Sequence, residues 1–146
     1  MDAREPAMPS AGLILRHWFE EVWNQKDASR MADYIAPECV LHSTDMAGSD
    51  LRGPAAFQIF FDQVQGNFSD VQFTVHDVVE QGDRAAGRWT ARMTHTGDGF
   101  GVPATGRSVT ISGMSMVRVE DGKVAEAWDE WDRFRLATTC GMVARV

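Results

Sequence analysis

The sequence predicts an α+β fold in which helices lie on one face of a curved antiparallel sheet and enclose a pocket open at one end. Three observations carry that expectation. Apolar residues of the first half recur at helical spacing, with Leu15, Trp18, Phe19, Val22 and Trp23 the clearest set. From Val71 the period changes to two, as Val71, Phe73 and Val75 alternate with Gln72, Thr74 and His76. Two turn signals, Gly82-Asp83 and Asp121-Gly122, then divide the second half into long strands joined by hairpins. Helices followed by strands segregate into layers, and a bent sheet covered by helices leaves a conical space between them.

Residues 1–10 read as a flexible tail, 11–137 as the single domain and 138–146 as a C-terminal tail. Ser10 is placed to cap a helix starting at Ala11, and His17, at the edge of its apolar stripe, reads as a surface residue. Asp27 can cap a second, short helix through Tyr34, which Pro37 stops. Cys39 to His42 has the composition of a short strand, and Asp45 to Asp50 that of a polar loop. Gly53-Pro54 opens the third helix, with proline where its missing N–H costs nothing. Phe57, Phe60, Phe61 and Val64 make its apolar stripe, and Gly66-Asn67 closes it. Strands are then expected from Val71, over Arg84 to Thr96, over Val109 to Val119, and from Val124. The excursion from Gly97 to Gly106 is too long for a tight turn, and loops of that length on a rigid sheet often border binding sites. Arg133 to Leu136 either finishes the last strand or forms one helical turn.

The candidate chemistry concentrates in the last hairpin. Pairing outward from Asp121-Gly122 sets Val119 opposite Val124, Val117 opposite Glu126 and Ser115 opposite Trp128. Strict alternation then gives one face to Val124, Glu126, Trp128, Glu130 and Asp132, with Asp129 and Trp131 on the other. A carboxylate beside an indole in a closed pocket has its pKa raised by desolvation, which suits a general acid or base. A half-exposed sheet whose acids face water is the structural alternative. Three inward acids are many for a closed pocket, so either the cavity is wet at that level or a bulge reverses the alternation. Trp18, Phe57, Phe61, Trp89 and Trp128 are expected to line one apolar cavity. His42, following an apolar run, is expected to turn inward, as a catalytic or a structural histidine.

Composition excludes several classes. At 146 residues the chain can bury a real core, and a net charge of −7 argues against nucleic acid or an anionic membrane as the main partner. The two cysteines, Cys39 and Cys140, lie far apart with no secretory signal ahead of them, so a reduced, cytoplasmic protein is expected. No Cys/His cluster has zinc-like spacing and there is no glycine-rich phosphate loop, so no metal or nucleotide cofactor is called for.

Thr94-His95-Thr96-Gly97, Gly101-Val102-Pro103-Ala104-Thr105-Gly106 and Arg118-Val119-Glu120-Asp121-Gly122-Lys123-Val124-Ala125-Glu126-Ala127-Trp128 with Asp132 resemble the SnoaL-like polyketide cyclases. These are ester cyclases of the nuclear transport factor 2-like (NTF2-like) superfamily. The resemblance runs from about the first helix to Asp132. It implies an NTF2-like cone-shaped α+β barrel with three N-terminal helices, commonly a homodimer. It also implies a cofactor-free cyclase that closes a ring by intramolecular aldol condensation of a polyketide-like ester. The family's acid/base aspartate lies four residues after the tryptophan, which here makes Asp132 catalytic, with Glu130 its rival and His42 its helper. His95 falls in the matching Thr-His-Thr-Gly segment and, with Trp18, Phe57, Phe61, Trp89, Trp128 and Glu130, is expected around the hydrophobic substrate. A non-catalytic binder of hydrophobic small molecules, a filled dimeric structural subunit, and a related isomerase, dehydratase or epoxide hydrolase are the other functions this superfold accommodates. Trp131, Met114 and Met116 are expected on the sheet's outer face, where they would form the dimer contact.

Overall fold

The computed structural model describes residues 8–143. The expected loose N-terminal tail therefore lies outside the described residues as far as residue 7, and the last three residues of the C-terminal tail do as well. Helix α1, Ala11–His17, is capped by Ser10, whose hydroxyl accepts the Leu13 N–H at 3.2 Å. It runs on into a π-helical stretch, Trp18–Trp23, all of whose apolar residues are buried. Asp27 caps a 3₁₀ turn, Ala28–Arg30, that leads into α2, Met31–Tyr34. Strand β1, Ile35–His42, begins immediately and takes in Pro37, so the short strand expected at Cys39 is twice that length. A loop and the two-residue β2, Leu51–Arg52, lead to α3, Gly53–Asn67. Four long strands follow: β3, Phe68–Gln81; β4, Arg84–His95; β5, Ser108–Glu120; and β6, Lys123–Trp131. The chain then forms α4, Arg133–Thr139, the helical alternative for this segment, and buries Leu136 and Cys140.

The α+β class is as the sequence predicts, with two differences in the sheet. Its strand order is β2-β1-β6-β5-β4-β3, and it ends at β2 and β3 without closing into a barrel. It is also mixed rather than antiparallel throughout, because β1 runs parallel to β6. The curved sheet carries α1 on β3, β4 and β5, and α3 on β1, β2 and β3, so the helices cover its concave face.

Both hairpins form at the expected dipeptides. Gly82 has φ 59°, and Asp121 and Gly122 have φ 52° and 78°, the left-handed conformation that two-residue turns require. Beyond the second turn the pairing departs from simple alternation. Val119 pairs with Val124, but Arg118 pairs with Glu126, leaving Ala125 as an extra residue in a β-bulge. From there Val117 lies opposite Ala127, Met116 opposite Trp128 and Ser115 opposite Asp129. The bulge therefore reverses the face assignment: Ala127, Asp129 and Trp131 turn inward, while Glu126, Trp128 and Glu130 turn outward. The cause is packing. The inward set of β5, Val109, Ile111, Ser115 and Val117, is buried, and setting charged Glu126 opposite Val117 would bury a carboxylate against it.

Candidate functional site

Between α1, α3 and the inner sheet face lies a cavity with about 80 Å³ of free space, room for several water molecules. Its walls are apolar except for Thr44, Ser115 and Asp129, which stand together. Trp18, Phe57 and Trp89 line it, and Trp18 meets Phe57 edge-on at 4.8 Å. Trp89 sits flat against Gly113, its partner on β5: a Cβ there would lie 2.3 Å from the indole, so only glycine leaves room. Phe61 is buried one layer back, 4.9 Å from the Trp23 ring.

Asp129 is the acid of this cavity. Ser115 Oγ donates to Oδ1 and Thr44 Oγ1 to Oδ2, each at 2.6 Å. Behind Ser115, Trp89 Nε1–H donates to the serine oxygen at 3.1 Å. Two charge-assisted bonds return about 1.5–3 kcal/mol each. The idealised cost of moving a carboxylate out of water is of order 20 kcal/mol. Burial wins, and the Asp129 carboxyl is held above the usual carboxylate range despite the two hydroxyls and the Arg133 guanidinium. The same burial, with the charges of Asp129 and Glu126 adding to it, pushes the neighbouring Cys39 thiol up to about 12, which leaves it inert as a nucleophile.

Thr44 reaches the cavity because the loop after β1 is strapped down. Trp131 Nε1–H donates to Thr44 O at 3.1 Å, Arg133 donates to the carbonyls of Ser43 and Asp45, and the guanidinium lies 4.6 Å from the Trp131 ring centre. Trp131 thus lines the cavity along with Met46, contrary to its expected outer position.

The other expected site residues fall elsewhere. Asp132 is exposed and caps α4, accepting the Arg135 N–H at 2.9 Å. Glu130 is exposed and borders a shallow outer groove with Arg88, Ser112 and Asp132. Trp128 lies on the outer face, its ring 5.5 Å from that of His42 in a stacked pair. His42 therefore points away from the cavity. It bridges Glu126 through Nε2 at 2.8 Å and Asp50 through Nδ1 at 3.2 Å. The Glu126 bond raises the His42 pKa above its usual value and lowers that of Glu126. His95 is fully buried, its ring 5.6 Å from Phe68. Its Nδ1 accepts the Thr105 N–H at 3.2 Å and so ties down the 96–107 loop. Nothing pairs with its Nε2 among the described residues.

Asp129, Ser115 and Thr44 are what the sequence reasoning missed. A signal for Asp129 was present: Val117 is an inward residue, and matching it to Ala127 instead of Glu126 demands the bulge and turns Asp129 inward. Thr44 had none, because a loop residue's approach depends on Trp131 and Arg133 far along the chain.

The open, helix-covered curved sheet is a fold shared with known proteins. Residues 13–139 match the model of the SnoaL-like polyketide cyclase family, to which the chain belongs. Among solved structures it is similar to IdmH of Streptomyces antibioticus, described as a candidate polyketide cyclase. The TM-score is 0.78 and the identity 29%, over 91% of this chain and 99% of that one. AclR of Streptomyces galilaeus, described as a candidate hydroxylase, has TM-score 0.80 and 26% identity over 96% and 90% of the two chains. An NTF2-like protein of unknown function from Burkholderia pseudomallei has the same fold, with TM-score 0.75 and 19% identity over 90% of this chain and 98% of that one. No curated protein matches the chain.

Proposed function

We propose that the protein is an acid/base enzyme of the cyclase kind, closing a ring in a polyketide-like ester by intramolecular aldol condensation, with Asp129 as the base. One observation carries this reading: Asp129 is the carboxylate of a cavity that is apolar apart from the two hydroxyls bonded to it, held there above its usual pKa. Ionised Asp129 takes a proton from a carbon flanked by carbonyls. The resulting carbanion attacks an internal carbonyl carbon, the new C–C bond forms, and the C=O π bond opens to an alkoxide. The proton on Asp129 then passes to that alkoxide, restoring the base. This reading moves the acid/base role from Asp132 to Asp129, because Asp132 spends its carboxylate on the α4 cap.

Turnover of a polyketide-like ester that the parent converts tests the assignment. Asp129→Asn keeps the shape and removes the base, and a loss of ~10²–10⁴-fold is expected. Asp132→Asn retains turnover within a few-fold. The reverse pattern returns the role to Asp132. The strongly apolar lining favours a second reading, a non-catalytic binder of hydrophobic small molecules, and full retention of ligand affinity with no turnover in the parent would establish it.

The partner reading is a homodimer through the outer sheet face, supported by exposed Met114 and Met116 there. No helix among the described residues is long and apolar enough to cross a membrane.

A further inference from the structure

The two oxygens of Asp129 are not equivalent, and the donor and acceptor chemistry around them fixes which one handles the proton. An indole N–H can only donate, so Trp89 obliges Ser115 Oγ to accept at 3.1 Å. Ser115 is itself buried and has one hydrogen to place, and its partner at 2.6 Å is Asp129 Oδ1. A proton on Oδ1 would turn that bond round and leave the serine hydrogen buried without an acceptor, a costly arrangement. Oδ1 is therefore a permanent acceptor.

Oδ2 faces a different partner. Thr44 Oγ1 lies 2.6 Å from Oδ2 and 3.3 Å from the main-chain oxygen of His42. With Asp129 ionised, the threonine donates to Oδ2. With Asp129 protonated, the threonine hydrogen swings to His42 O, and its oxygen accepts the Oδ2–H. Every hydrogen has an acceptor in both states, and the exchange needs only a hydroxyl rotation.

We infer that Asp129 works through one oxygen: it carries its proton on Oδ2 with Thr44 as the reversing partner, while Trp89 and Ser115 hold Oδ1 unprotonated. Trp89, Ser115 and Thr44 are positioning residues in this scheme. The inference rests on Asp129 as the acid/base group, yet it concerns the ligand-free protein and is measured there.

Infrared difference spectra across a pH titration, with ¹³C-labelled aspartate and Asp129→Asn to identify the band, read the protonated carboxyl directly. In the parent the C=O stretch belongs to Oδ1 and is hydrogen-bonded to Ser115. Ser115→Ala removes that bond, so the stretch moves to higher wavenumber and the titration midpoint rises by about one pH unit. Thr44→Val leaves the stretch in place and moves the midpoint less, and Thr44→Ser restores the parent midpoint. An upward shift in Thr44→Val with none in Ser115→Ala puts the proton on Oδ1 and overturns the inference. So do equal shifts in both variants, and so does the absence of any Asp129 band at the lowest pH where the protein is folded. Failure of the catalytic reading looks different: the bands behave as described while Asp129→Asn keeps its turnover.

Discussion

Asp129 ties stability and activity to pH with opposite signs. Its folded pKa is raised, so between the unfolded value, ~3.9, and the folded one the native state binds more protons than the unfolded chain. The stability this group contributes is fully present below the unfolded pKa and is lost as pH rises through the folded pKa. Over that interval kcat/KM rises, because only the ionised form accepts a proton from carbon. A plot of Tm against pH should fall where the rate profile climbs. Asp129→Asn should abolish this component of the fall, along with the turnover. A gain of stability with rising pH in the parent, lost in the variant, would show that the carboxyl is not held above its ordinary range.

At the level of elements, a second tie between the post-β1 loop and β6, beside the Thr44 contacts, runs through His42, with Asp50 on one side and Glu126 on the other. Arg118, near Glu126, and Arg52, near Asp50, complete the charges facing it. The His42 pKa is raised, so its contribution is full below the unfolded value of ~6.5 and is lost as pH rises through the folded one. Glu126 and Asp50 are lowered, so theirs are full above the unfolded carboxylate values and are lost as pH falls through the folded ones. The part of the stability that this cluster contributes should therefore plateau between the two ranges, and His42→Asn should flatten the decline on the alkaline side while leaving the Asp129 component as it was. An unchanged alkaline slope in that variant would remove His42 from the account. The hairpin turns were legible because positive φ selects Gly and Asp at fixed places. The bulge was harder to read because Ala125 carries no signature of its own, and only the match between two strands marks it. One shift of parity moved Glu126, Trp128, Asp129, Glu130 and Trp131 to the opposite faces from those expected.

For the whole molecule, the α+β layering was legible from the change of period at the end of α3, since helical and strand spacing are different physical patterns. The parallel pairing of β1 with β6 was not, because local sequence says nothing about a partner on the far side of five intervening elements. The sheet leaves Met114 and Met116 on its outer face, 56% and 42% exposed. If that face joins two copies, Met116→Asp places a charge in the contact, and light scattering at micromolar concentration should show the mass of the variant halved. A parent that is already monomeric under those conditions would end the dimer reading.

The spare residue in β6 also bears on how such a chain tolerates changes of length. Deleting Ala125 removes the bulge and leaves the inward order Val124, Ala127, Asp129, Trp131 as it was. Deleting Trp128 instead inverts everything after it, exchanging Asp129 for Glu130 at the wall. The first deletion should keep turnover near that of the parent, and the second should abolish it. The bulge thus acts as slack in the genetic text: a codon can be lost at this one point of the strand without rewriting the pocket, whereas a codon lost a few positions later swaps the pocket's acid and turns Trp131 out of its wall without a single substitution.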